Sequence, residues 1–379
     1  VEDLAKFKAD GEADYEYLVA ESEFAAASIV LGASAAGERV YTATSSQGLL
    51  LMNEVIYNIA GLRLPVVMTC ANRAISAPIN IWNDMQDAMT VADAGWIMFF
   101  AENNQEAVDQ HIMAYKIAEQ SRLPVMVNMD GFVLTHTYEP VIIPSEAEIK
   151  KYLPAFTPKK GEFLDPANPI TMGPIVGPAH YMEMREDLHN DLMASLDIIN
   201  KEYINYHKII KTASNVDKKL SFGYPKLSFS SDNGLIEYIG PKNPETILVA
   251  MGSVVGTIKE IVDEINSAQR VSPLPRSGGG AGGGGVGVLK IKTYRPFPVE
   301  EVVKIISKAK YVAVIDKAIT LGYMGPLAID VKAAGQGKFK GKIQNFIVGL
   351  GGRDVTRKII GKIISEVKKS GDGVKFVGV

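Results

Sequence analysis

The chain has 379 residues, 47% apolar and 22% charged, with 40 basic against 43 acidic side chains and a net charge of −3. That is globular material for two or three domains, with no basic stripe for nucleic acid and no apolar run of membrane-spanning length. The single cysteine, Cys70, excludes an intrachain disulfide and an iron–sulfur cluster held by this chain alone, because a cluster needs several thiolates.

Residues 1–14 carry a short helical pattern ending near Gly11, and a strand is expected over Tyr15–Val19. A helix capped by Ser22 follows, running through Phe24 to Leu31 and stopping at Gly37. It is small-residued and apolar on nearly every side, which predicts burial. Glu21 and Glu23 stand at its entrance. The helix dipole favours acidic residues there. A carboxyl held in an apolar cleft instead becomes a proton carrier near neutral pH.

Further strands are predicted over Val40–Ala43, Pro65–Cys70, Trp96–Ala101 and Pro124–Met129, with helices over Gly48–Ala60 and Asn104–Gln120. Such alternation predicts an α/β parallel sheet covered on both faces, with ligands outside the carboxyl ends of its strands. Thr44-Ser45-Ser46-Gln47-Gly48 lies at that rim, as a serine helix cap or as the polar wall of a ligand site. Arg73 directly follows an apolar strand among small residues. It is either an ion-pair partner, with Asp84 or Asp87 as candidates, or a planar fork for a substrate carboxylate. No third ligand accompanies those aspartates, so no metal is expected there.

Prolines between positions 140 and 178 mark an extended, wandering segment before a long polar helix over Met182–Ser214. His189 and His207 on that helix read as solvated, and His136 as structural. Residues 235–379 read as a second α/β unit. Its strands are expected over Thr246–Met251, Val286–Lys292, Tyr311–Ile315 and Gln344–Val348, its helices over Val254–Ser267, Val299–Ala309 and Asp354–Lys369. The glycine-rich stretch 277–287 reads as a flexible surface loop or a misassigned stretch, without a phosphate-loop pattern. No basic-then-apolar leader opens the chain, so the cytoplasm is the expected location.

The segments ESEFAAASIVLGASAAG, YTATSSQGLLLM, CANRAISAPINIWNDMQD, GWIMFFAENNQEA and DGFVLTHTYEPV, with TYRPFP (293–298) and GLGGRDVT (349–356), resemble the alpha subunits of the 2-oxoacid:ferredoxin oxidoreductases, the pyruvate enzymes above all. The resemblance spans nearly the whole chain. It implies a domain over residues 1–230 that binds the aminopyrimidine ring of thiamine diphosphate, with an extended C-terminal segment. A transketolase C-terminal-like α/β domain over residues 231–379 would follow. Glu23 then contacts the pyrimidine N1′ and promotes ylide formation, Ser45, Ser46 and Gln47 line the cofactor, and Arg73 and Asn80 meet the 2-oxoacid.

The implied reaction is oxidative decarboxylation of pyruvate with coenzyme A to acetyl-CoA and carbon dioxide, with electrons passing to ferredoxin. Alternatives are the same chemistry on 2-oxoisovalerate, 2-oxoglutarate or oxalate, or a non-catalytic docking subunit, against which Glu23 and Arg73 together argue. Magnesium and 4Fe-4S clusters are implied in partner subunits (beta, gamma and delta chains), in keeping with one cysteine here. The family's opening strand and threonine-bearing loop have no counterpart, so they are expected ahead of Val1. Met85 stands where many relatives carry histidine or glutamine.

Overall fold

The structure, a computed structural model, describes residues 2–210, 229–271, 284–369, 371 and 373–378. Runs of Val, Met, Ile and Phe with little polar interruption give strands that are buried on both faces. In the first half these are β1 (Tyr41–Thr44), β2 (Val67–Asn72), β3 (Ile97–Phe100) and β4 (Val125–Asp130), parallel in the order β1-β2-β4-β3. Helices Asn53–Gly61 and Asn104–Ser121 help to cover them.

Residues Tyr15–Val19 form no strand. They pair with no strand among the described residues; Tyr15 Oη donates to Leu4 O at 2.6 Å, and Leu18 and Val19 are exposed. The helix Glu23–Ala35 forms where expected, and Ser22 caps it, but it is not buried. Ala27, Ser34 and Ala35 are buried and Ala26, Val30, Leu31 and Ala33 half-buried against the core, while Phe24 and Ile29 face outward. An apolar pattern on all sides carries no information about which side lacks a neighbour.

The second sheet has β5 (Phe229–Asp232), β6 (Ile236–Gly240), β7 (Thr246–Ala250), β8 (Val286–Ile291), β10 (Tyr311–Asp316), β11 (Lys342–Ile347) and β12 (Val374–Phe376), in the order β12-β11-β10-β7-β8-β6-β5. β7, β8, β10, β11 and β12 are parallel; β6 and β5 turn antiparallel at one edge. The remaining strand, β9 (Thr293–Arg295), leaves this sheet and pairs antiparallel with β3 of the first. β5, β6, β9 and β12, and the helices Glu146–Tyr152 and Pro326–Gly335, went unpredicted. Most are too short, or too mixed in pattern, to stand out.

The long helix covers Pro178–Ile209, and residues 211–214 of the expected span lie outside the described residues. His189 is exposed, but His207 is half-buried and its Nδ1–H donates to Tyr203 O at 2.8 Å. Residues 272–283 of the glycine-rich region also lie outside the described residues. Its end is no loose loop. A Cβ at Gly285 would sit 2.5 Å from Pro241 Cγ, and one at Gly287 would sit 2.5 Å from Tyr238 Oη. Close backbone approach demands glycine at both.

A buried ionic seam joins the two sheets. Lys290 Nζ lies 2.7 Å from Glu102 and 2.8 Å from Glu106, and Lys259 Nζ lies 2.7 Å from Glu102 and 2.8 Å from Glu237.

Candidate active site

Parallel pairing places Thr44 opposite Cys70, so the loops after β1 and β2 emerge side by side at the carboxyl rim. Ser45 heads one and Arg73 the other. Both Arg73 Nε, at 3.0 Å, and Nη2 donate to Ser45 Oγ. Ser46 occupies the N-cap position of the helix Gln47–Leu51, yet its side chain caps nothing. Its φ of 50° is one that few L-residues adopt. Two hydrogen bonds hold it there: its N–H donates to Asp87 Oδ2 at 2.9 Å, and its hydroxyl donates to Ala74 O. Gln47 is exposed, with its side-chain amide 2.6 Å from the same hydroxyl.

The expected Arg73–aspartate ion pair is not formed. Asp87 takes the main-chain N–H of Arg73 at 2.9 Å and leaves the guanidinium to Ser45. Asp87 is wholly buried and accepts further from Asn72 Nδ2 at 3.0 Å and Ala88 N at 2.7 Å. Burial pushes its carboxyl up to about 6, against the pull of these donors. Beside it, burial and the Asp87 carboxylate push the Cys70 thiol well up, so this cysteine stays an inert thiol.

Glu23 begins its helix, just past Ser22, which accepts from Ala25 N at 3.2 Å. The carboxyl reaches Gly48, at the start of the next helix. A Cβ there would lie 3.0 Å from Glu23 Oε1 and 2.6 Å from Thr44 Oγ1. Thr44 Oγ1 is buried with no hydrogen-bond partner among the described residues. Glu21 sits in the bend before the cap, exposed; Glu23 is exposed as well, so this chain alone does not enclose its carboxyl in an apolar cleft. Glu23, Thr44, Ser45 and Arg73 therefore line one rim, with Ser46 and Asp87 beneath.

Asn80 stands apart from that group. Its Nδ2 donates to Gly351 O at 3.1 Å and its Oδ1 accepts from Trp82 N at 2.8 Å, tying the loop to the second sheet. The same loop is fastened by Lys317. Its Nζ reaches Asn83 Oδ1 and lies 2.9 Å from Asp130 Oδ2, which also accepts from Ser253 N at 3.2 Å. Sequence reasoning missed Asp130 and Lys317. The available signal was a charged residue at or just beyond the end of an apolar strand, where the rim lies. His136 stacks on Phe132 at 4.5 Å, in keeping with a structural role. No cluster of three or more metal-ligating side chains occurs among the described residues.

The family described as pyruvate flavodoxin/ferredoxin oxidoreductase, thiamine diP-binding, matches residues 1–203, and the one described as pyruvate:ferredoxin oxidoreductase core domain II matches residues 280–360. Pyruvate synthase subunit PorA of Methanocaldococcus jannaschii is 43% identical over 378 residues, 98% of this chain and 87% of its own length. Ketoisovalerate oxidoreductase subunit VorA of Pyrococcus horikoshii is 37% identical, over 97% of this chain and 86% of its own length. Among solved structures, the 2-oxoglutarate:ferredoxin oxidoreductase of Magnetococcus marinus aligns with a TM-score of 0.60 over 97% of this chain, at 17% identity. This chain spans 60% of that one, and the likeness is one of fold.

Proposed function

Because the chain belongs to the pyruvate flavodoxin/ferredoxin oxidoreductase family, as its alpha-type subunit, we propose that it builds one wall of a thiamine diphosphate site. At that site pyruvate and coenzyme A become acetyl-CoA and carbon dioxide, with electrons passing to ferredoxin. The supporting observation is the rim itself, where a guanidinium fork rests on Ser45 Oγ and a carboxyl overhangs Gly48. An arginine with a neutral hydroxyl as partner keeps its charge for a ligand carboxylate.

The residues fit the cofactor's pyrimidine end. Gly48 lets the Glu23 carboxyl and Thr44 Oγ1 close in where a side chain would otherwise sit, and Thr44 Oγ1 is buried without a hydrogen-bond partner among the described residues. Glu23 would hold the ring nitrogen and share a proton with it, with Ser45, Ser46 and Gln47 as the polar wall. When bound, the cofactor supplies the carbanion chemistry that decarboxylates a 2-oxoacid. Arg73 anchors and orients the substrate carboxylate.

In this reading residues 1–230 form the pyrimidine-binding domain and residues 231–379 the transketolase C-terminal-like one. Beta, gamma and delta subunits bring magnesium and the 4Fe-4S clusters, and the complex works in the cytoplasm. No helix among the described residues is long and apolar enough to cross a membrane. The 37% identity to a ketoisovalerate enzyme subunit keeps 2-oxoisovalerate as the second substrate to assay.

The test is Glu23→Gln in the purified complex. Glutamine keeps the shape but has no acid proton. Exchange of the cofactor C2 proton, followed by NMR, should slow by about 10²–10⁴-fold with cofactor content unchanged. Exchange at the wild-type rate would remove Glu23 from this role.

A further inference from the structure

We propose that Asp87 is a positioning residue for substrate recognition: by gathering the N–H groups of Ser46 and Arg73 on one oxygen, it sets the spacing of the two rim loops that present Ser45 and the Arg73 fork. The inference rests on the reading of Arg73 as the carboxylate anchor.

The geometry separates Asp87 from the ligand side. It is wholly buried and touches the rim only from beneath. Oδ2 receives Ser46 N and Arg73 N at 2.9 Å each, and Cys70 Sγ lies 3.7 Å away; Oδ1 receives Asn72 Nδ2 and Ala88 N. Four N–H donors on two oxygens require a carboxylate, since an amide has only one accepting oxygen. Ser46 and Arg73 come from loops that share no main-chain hydrogen bond with each other among the described residues. Side chains also link the loops, through Ser46 Oγ to Ala74 O and the Arg73 fork to Ser45 Oγ, but the Asp87 carboxylate is what gathers their two main-chain N–H groups, and the guanidinium has no acid partner among the described residues.

The titratable or charged groups facing Asp87 are few. They are the Cys70 thiol on β2 and Arg73 on its loop; Ser46, Asn72 and Ala88 are neutral. Asp84, on the same loop, spends its carboxylate on Gln86 and Gly351. With burial holding Asp87 up to about 6, its protonation falls within the range where a complex can be assayed. A protonated carboxyl turns one acceptor into a donor that faces N–H groups.

The experiment measures pyruvate kinetics and cofactor content of the assembled complex carrying Asp87→Asn, Arg73→Lys or both. In D87N two of the four donors lose their acceptor, whichever way the amide turns. KM for pyruvate should rise by roughly tenfold, kcat should change less, and cofactor content should stay level. In the unsubstituted complex KM should rise as pH falls below about 6, and D87N should lack that rise. The double variant should have the KM of R73K alone, because Asp87 acts through Arg73. Additive effects on KM, or a lower kcat at unchanged KM, would show a purely structural aspartate and overturn the inference. Should the D87N complex fail to assemble, the unsubstituted complex decides: a KM flat down to pH 5 overturns the inference. If R73K itself left KM unchanged, the anchor reading would fail first; a raised KM in R73K beside a neutral D87N sinks only the present inference.

Discussion

The rim of the first sheet and the seam between the sheets both bury carboxylates, but they surround them with different partners. At the rim Asp87 accepts from neutral N–H groups, with the neutral Cys70 thiol beside them. Asp316, at the end of β10, is treated the same way. It accepts from Leu327 N at 2.9 Å, Ala328 N at 3.2 Å and Asn345 Nδ2 at 2.7 Å. Burial outweighs those donors and pushes Asp87 up to about 6 and Asp316 to about 7. At the seam burial also pushes Glu237 up, but Lys290, Lys259 and Lys292 more than reverse it and hold it below the usual carboxylate range. Reciprocally, burial pulls the Lys290 ammonium down while Glu102, Glu106 and Glu237 hold it well above the ordinary value. Neutral donors leave a buried acid ready to change charge near working pH. Buried cations fix its charge.

The largest expected effect breaks the seam. Lys290→Met removes the cation that Glu102 and Glu106 share and leaves buried carboxylates short of a partner. Removing one member of a buried pair typically costs about 3–5 kcal/mol, to be read from denaturant unfolding of the full chain. A loss near zero would mean that the seam holds its carboxylates without that lysine. The unsubstituted seam resists mild acid. Glu237 has a folded-state value below its ordinary 4.5, so its contribution is present above 4.5 and is lost only as pH falls through the lower value.

A smaller effect is expected at Asp316, with the opposite sign. Its folded value of about 7 lies above the ordinary 3.8. Its contribution is therefore complete below 3.8 and is lost as pH rises through about 7. Asp316→Asn should remove that slope, so that Tm of the full chain depends less on pH between 4 and 7. The lost acceptor for Leu327 and Ala328, at the start of the helix Pro326–Gly335, should lower stability by about 1 kcal/mol. An unchanged slope would mean that Asp316 stays ionised throughout that range. The smallest effect belongs to the surface. Glu264 and Arg357 pair on the exposed surface, and Glu264→Gln should leave Tm unchanged at physiological salt. A clear drop would show surface pairs counting as much as buried ones.

Much of this contrast was hidden from sequence. The apolar runs of β2, β3, β4, β7, β8 and β10 announce parallel strands, and Arg73 behind β2 announces a rim. Asp87 was visible only as a possible partner of the Arg73 guanidinium. Its actual partners include the main-chain N–H of a residue 41 positions away, and a main-chain donor leaves no mark in a sequence. Lys317 meets Asp130 across 187 positions, a pairing set by the docking of the sheets rather than by any local pattern. The helix Glu23–Ala35 was misread as buried because its composition lacks a polar side. Tyr15–Val19 was misread as a strand because alternating apolar residues were counted without a partner to pair with.

The three residues of β9 bear on the order in which this protein can be made. Thr293 and Arg295 pair with Phe99 and Met98, and Lys292 O accepts Phe100 N at 2.9 Å. During synthesis the edge of β3, with all four residues apolar and buried in the finished fold, waits bare until nearly two hundred more residues have left the ribosome. An uncovered apolar edge strand is a template for pairing with other chains. A fragment stopped before residue 293 would carry that edge permanently, and should aggregate where the full chain does not.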